Sequence, residues 1–158
     1  EGKGGTLYFD ETLTDFAVRL EFKVPEGGNN GLAIRYPGKG DTAYVGMCEL
    51  QILDDSAEKY ATLDERQFHG SAYGMAAAHR GYQRPVGEWN YQEVTVKGNS
   101  IKVELNGTVI LDADLGTLDP AEFMAGKKHP GLANENGFFG FAGHGNAVHF
   151  RKVAIKKL

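Results

Sequence analysis

Glu49-x-Gln51, followed by Asp54, is the arrangement in this sequence best suited to chemistry. Side chains alternate faces along an extended strand, so Glu49 and Gln51 stand side by side opposite Leu50 and Ile52. Arg35 falls on the matching face of a preceding strand, and Tyr73, His79, Trp89 and His144 come from later strands or loops. A carboxylate, an amide, a guanidinium and aromatic rings on one surface suit a polyhydroxylated ligand. The rings stack on sugar C–H faces and the polar groups hydrogen-bond the hydroxyls. The same pattern also fits the solvated outer face of an antiparallel sheet. Trp89 reads more readily as a core residue, and a lone histidine in a Gly-rich turn, as His144 is, is more often structural than catalytic. None of the five histidines has the HxH or HExxH spacing of a zinc site.

These side chains need strands to hold them. Phe16 to Val24 alternates apolar and other residues, the mark of a half-buried strand. Pro25-Glu26-Gly27-Gly28-Asn29-Asn30-Gly31 is a turn cluster, and Gly31–Tyr36 and Tyr44–Leu53 read as the next two strands. Met47, Glu49 and Gln51 share one parity, expected to face away from the interior, while Cys48, Leu50 and Ile52 share the other. The region from 54 to 87 is irregular, with a short helix expected at Ser56–Leu63 and a short strand at His69–Gly74. Trp89–Val96, Ser100–Leu105 and Thr108–Ala113 follow as strands. Asn106-Gly107 marks a type I′ hairpin, because both central residues of that turn need positive φ. Leu115–Asn136 is a second long loop, with a helical turn expected near Pro120–Met124. Phe138–Ala142 and Val148–Ile155 complete the set, the last with a bulge between Phe150 and Val153, where the inward parity changes. Short strands and no long amphipathic helix predict an all-β protein, a two-sheet antiparallel β-sandwich occupying residues 1–158 as one domain.

A formal charge of -4 argues against a nucleic-acid or anionic-membrane partner, which would need a basic stripe. No apolar run reaches the roughly 20 residues of a membrane span, and the first residues do not resemble a signal peptide. The single cysteine, Cys48, forms no internal disulfide and leaves the compartment open. No nucleophile-elbow, P-loop or dinucleotide fingerprint is present.

Several spaced segments resemble one known family. Gly28-Asn29-Asn30-Gly31-Leu32-Ala33-Ile34-Arg35 is similar to its N-S-G…R segment, and Glu49-Leu50-Gln51-Ile52-Leu53-Asp54 to its E-x-Q-I-L-D strand. His69–Gly74 resembles its G-x-x-Y segment, and Arg84-Pro85-Val86-Gly87-Glu88-Trp89-Asn90 its K-P-x-G-E-W-N, with Arg84 for the usual Lys. Leu105-Asn106-Gly107, Gly143-His144-Gly145 and Val148–Arg151 complete the series. The family is that of the 3-keto-disaccharide hydrolases, and the likeness runs from about Leu7 to Leu158. Two departures stand out: the Trp-containing first strand is missing, and Phe141-Ala142-Gly143-His144-Gly145 lacks the Gln of the usual L-Q-x-H-G.

The resemblance implies a bacterial, exported (periplasmic or extracellular), concanavalin A-like jelly roll acting on oxidised glycosides. A ketone at sugar C3 acidifies the C2 proton; a base removes it, the enolate expels the glycosidic oxygen from C1, and water adds. That route needs a base, an oxyanion donor and an acid for the leaving group, not the paired carboxylates of an ordinary glycosidase. Glu49 or His144 is the candidate base. Arg35 and Gln51 are candidates to hold the ketone oxygen, and Asp54, Tyr73, His79 and Trp89 to bind the sugar. No cofactor is required, though a divalent cation on Glu49 and Asp54 is compatible with the pattern. A non-catalytic carbohydrate-binding module, or an interaction domain of a larger protein, would carry the same fold. Linkage, aglycone and oligomeric state are not readable.

Overall fold

Alternation of apolar side chains produces the framework. In the computed structural model, which describes residues 4–158, strands β1 (Gly5–Leu13), β3 (Asn29–Tyr36), β4 (Cys48–Leu53) and β8 (Gly137–Gly143) form one antiparallel sheet in the order β1-β8-β3-β4. Strands β2 (Phe16–Lys23), β5 (Asn90–Lys97), β6 (Ser100–Leu105), β7 (Thr108–Asp114) and β9 (His149–Lys157) form the other, in the order β7-β6-β5-β2-β9. The protein is an all-β antiparallel sandwich.

Phe16, Val18, Leu20 and Phe22 of β2 meet Leu32 and Ile34 of β3 and Leu50 and Ile52 of β4 in the core between the sheets. Each such side chain contributes about 1.5–3 kcal/mol by leaving water. That gain accommodates one buried polar pair, His69 with Gln92, whose Nε2 and Oε1 lie 2.9 Å apart. Burial depresses the His69 pKa to about 4, so the ring packs neutral against Phe22.

Turn chemistry behaves as expected. Asn106 and Gly107 have φ of 51° and 89°, as the type I′ turn requires. The parity change in the last strand is a bulge, with Lys152 at φ 52° and a register shift against β2 between Arg19 and Glu21.

Four expectations change. The edge strand β1 was not foreseen, because only Leu13 of it is buried and its alternation is hidden. Tyr44–Leu53 is not one strand. Asp41 accepts the Ala43 N–H through Oδ1 and caps a single helical turn, α1 (Thr42–Val45), before β4 begins at Cys48. The helix expected at Ser56–Leu63 is one 3₁₀ turn, Glu58–Tyr60, and that near Pro120–Met124 is two, Pro120–Glu122 and Met124–Gly126. His69–Gly74 contributes only isolated bridges at Ala72, to Leu50 of β4 and to Ala76.

Candidate functional site

The free edge of β4 is tied down by the irregular segment that follows it. Gln51 donates its N–H to Ser71 O and accepts from Gly70 N–H, and Tyr73 N–H donates to Glu49 O. The backbone carrying Glu49 and Gln51 is therefore held on both sides, by β3 and by residues 70–73. On the face turned away from the core, Gly31 lies opposite Gln51, and Ala33 opposite Glu49. A Cβ at Gly31 would run into the Glu49 carboxylate, so the glycine makes the space in which that carboxylate lies. Both polar side chains are nearly inaccessible, Glu49 at 3% and Gln51 at 4% exposed. They do not meet bulk water as the parity alone suggested. Met47, of the same parity, belongs to the core.

Glu49 and Gln51 line a cleft of about 150 Å³ together with Asn29, Asp41, Tyr44, Tyr73 and His144. That volume is below the usual range for drug-sized ligands and suits one small ring. His144 follows the last residue of β8, and its Nε2 lies 3.2 Å from Glu49 Oε1. The carboxylate beside it raises the His144 pKa above the ordinary imidazole value, against the opposing effect of burial. With Nε2 engaged by an acceptor, Nδ1 keeps the free lone pair in the neutral ring. Gln51 Nε2 donates to Asn29 Oδ1 at 3.3 Å. Tyr73 OH accepts from Gln67 Nε2 at 2.9 Å, which leaves its own proton to donate. Gln67 is fixed in turn, since its Oε1 accepts the Asp64 N–H in a capping box. Burial raises the Tyr44 pKa, so that phenol stays protonated.

The structure brings Glu49, His144, Gln51 and Tyr73 together and leaves the other four candidates elsewhere. Arg35 is 1% exposed and does not line the cleft. It has φ 49°, within the register shift between β3 and β8, and this left-handed residue diverts its side chain from the strand's alternation. Its Nε and Nη2 donate to Thr14 O, Nη1 donates to Asn134 O, and Nη2 also meets Asp15. It is a structural tie, and no carbonyl clamp. Asp54 closes a turn: Oδ2 accepts Gly27 N–H, and Oδ1 accepts both the N–H and the hydroxyl of Ser56. It lines a separate cleft with Arg80 and Arg84, apart from the one that Glu49 lines. His79 is exposed and anchored by its backbone N–H to Ile110 O, beside β7. Trp89 lies at the five-stranded sheet, its ring 3.9 Å from the Arg151 guanidinium and 5.1 Å from Lys23 Nζ. Arg151 itself pairs with Glu21 across the sheet.

Three cleft residues escaped the sequence reading. Asn29 sat inside a turn cluster, although it begins β3 and pairs with Leu53. Asp41 lies between the strands expected at Gly31–Tyr36 and Tyr44–Leu53, and Tyr44 falls in the second of them; a capping Asp three residues before Tyr44 is the available signal.

The comparisons agree on family and fold. The sequence profile of the 3-keto-alpha-glucoside-1,2-lyase-like domain matches residues 1–156. A curated relative from Bacteroides thetaiotaomicron, a 3-keto-disaccharide hydrolase, is 28% identical over 184 residues; all of this chain aligns, over 63% of that protein's length. The crystal structure of a candidate glycosyl hydrolase from Parabacteroides distasonis is 26% identical and superposes with a TM-score of 0.87, over 99% of this chain and 84% of the other. A carbohydrate binding module, CBM66 from Bacillus subtilis, shares the fold at 15% identity and TM-score 0.57, over 99% of this chain and 84% of the module.

Proposed function

Because the chain belongs to the 3-keto-alpha-glucoside-1,2-lyase-like domain family, we propose that it cleaves glycosides whose sugar ring carries a ketone at C3, by elimination across C1 and C2. The observation that carries this reading is the His144–Glu49 pair, 3.2 Å apart at a cleft sized for one ring. His144 Nδ1 takes the C2 proton, and the electron pair left on C2 forms the C2=C3 bond of an enolate. Glu49 orients the ring through Nε2 and stabilises the imidazolium that forms, the division of labour seen wherever a buried carboxylate backs a histidine base. The enolate then collapses to the ketone with a C1=C2 double bond, and the C1–O bond breaks with its electrons on the departing oxygen. Tyr73 protonates that oxygen. Water adds its oxygen to C1 and gives a proton to the Tyr73 phenolate, while the His144 imidazolium returns its proton to C2, which completes a net hydrolysis; release of the enone before water adds, with the imidazolium proton passing to the phenolate, is the lyase outcome. Work outside the cytoplasm goes with the family resemblance; among the described residues no helix is long and apolar enough to cross a membrane.

The test compares a 3-keto-α-glucoside with its unoxidised parent. Aglycone release from the keto form alone is the expected result. Saturable binding of the keto form without release would instead make the chain a binding module. Cleavage of the parent at a similar rate would rule out the elimination route, because its C2 proton is not acidified.

The assignment of Tyr73 has its own check. Tyr73→Phe should lower the release of a sugar aglycone about 10-fold or more and barely affect a nitrophenyl aglycone, whose oxygen leaves without a proton. Equal losses for both leaving groups would place Tyr73 in binding instead of proton transfer.

A further inference from the structure

With Arg35 tied to Thr14 and Asn134, no lysine or arginine among the described residues lines the cleft to hold the enolate oxygen. An oxygen on C3 is close to the proton leaving C2, so its donor must stand beside the base. The pairing of Asn30 with Gly143 puts Asn29 and His144, each one residue beyond that pair, opposite each other across β3 and the end of β8. Asn29 is also the residue whose orientation the site controls. Its Oδ1 is engaged by Gln51 Nε2, and among the described residues its Nδ2 has no hydrogen-bond partner although it belongs to the cleft wall. An amide fixed in this way turns its oxygen toward Gln51 and its two N–H donors toward the ligand.

We propose that Asn29 reads the C3 oxygen of the bound ring, its Nδ2 donating to the ketone and then to the enolate, and that Gln51 is the positioning residue that keeps this end of the amide turned to the cleft. This deepens the proposed function and rests on its reading that the bound ring is a 3-keto sugar. A ketone only accepts hydrogen bonds, so the N–H end of the amide matches it. The donor gains strength as the oxygen becomes negative, and a preorganised amide at that position needs no reorganisation when charge develops.

The chemistry makes a reversal available. Asn29→Asp keeps the acceptor that Gln51 Nε2 requires but faces the ligand with acceptor oxygens alone. A ketone then meets a carboxylate with no proton between them, whereas a 3-hydroxyl can donate to it. The probes are a 3-keto C-glucoside, whose carbon aglycone cannot leave, and its 3-hydroxy parent, both titrated by calorimetry. Wild type is expected to bind the keto ring at least as well as the parent. Asn29→Asp should weaken the keto ring about tenfold or more relative to the parent, the cost of an unpaired polar contact in a closed site. Gln51→Glu should act in the same direction, because the new carboxylate draws Nδ2 to itself and turns Oδ1 to the cleft. An unchanged keto-to-parent ratio in both variants overturns the proposal, as does wild type binding neither probe. Neither readout needs turnover: a wild type that never releases aglycone yet shows the reversal refutes the elimination and leaves the Asn29 assignment standing.

Discussion

Replacing His144 by alanine is expected to slow aglycone release from a 3-keto-glucoside by about 10²–10⁴-fold, the usual contribution of a positioned base. The side chain stands at the cleft mouth and is 43% exposed, so its removal leaves the core intact; Glu49 loses its partner, and the melting temperature is read beside the rate to separate that cost from the chemistry. The pH profile separates a base from a mere contact. Glu49 raises the His144 pKa, so the neutral, proton-accepting ring is scarcer at low pH. kcat/KM should therefore climb with pH and level off, with a midpoint above the roughly 6.5 of a free imidazole. Glu49→Gln removes the charge that favours the imidazolium, and should move the midpoint down toward 6.5 as well as lowering the plateau. A full rate in His144→Ala would remove the histidine from the chemistry. A midpoint unmoved by Glu49→Gln would mean that the pair is not electrostatically coupled in the protein in solution.

Arg35→Ala is expected to act on stability, with little effect on how the folded protein binds substrate. The ion pair with Asp15 contributes little, since Asp15 is 32% exposed and its field is screened by water. The larger cost comes from the space left by the buried Arg35 side chain and from the half-buried carbonyls of Thr14 and Asn134, which lose their donors. Together these should amount to about 3 kcal/mol, read as a fall in melting temperature of about 6–12 °C for a chain of this size. Thermal denaturation beside a KM measurement below the transition checks both halves. A variant that melts like wild type but has lost its affinity for the keto ring would return Arg35 to the cleft.

Arg35 also shows where local reasoning ends. By strand alternation it shares a face with Gly31 and Ala33, which do stand opposite Gln51 and Glu49. Its positive φ and the shift in pairing with β8 break that alternation two residues later. Nothing in Ala33-Ile34-Arg35-Tyr36 announces the break, because it depends on how a strand more than 100 residues away lies against this one. Asp54 is a similar case: its place after Gln51 suggested a ligand group, but the fold spends both its oxygens on the turn around Gly27 and Ser56.

By itself the sequence determined the sandwich, the hairpin turns, and the side of β4 from which Glu49 and Gln51 project. All of these follow from period-two patterning and from turn residues with restricted φ, which act within a few neighbours. Only the tertiary structure decided that His144 comes within 3.2 Å of Glu49, that Asn29, Asp41 and Tyr44 complete the cleft, and that Trp89 and His79 stand away from it. Those placements arise from strand order and from loops closing over a sheet face, and they bring together residues with no spacing in common.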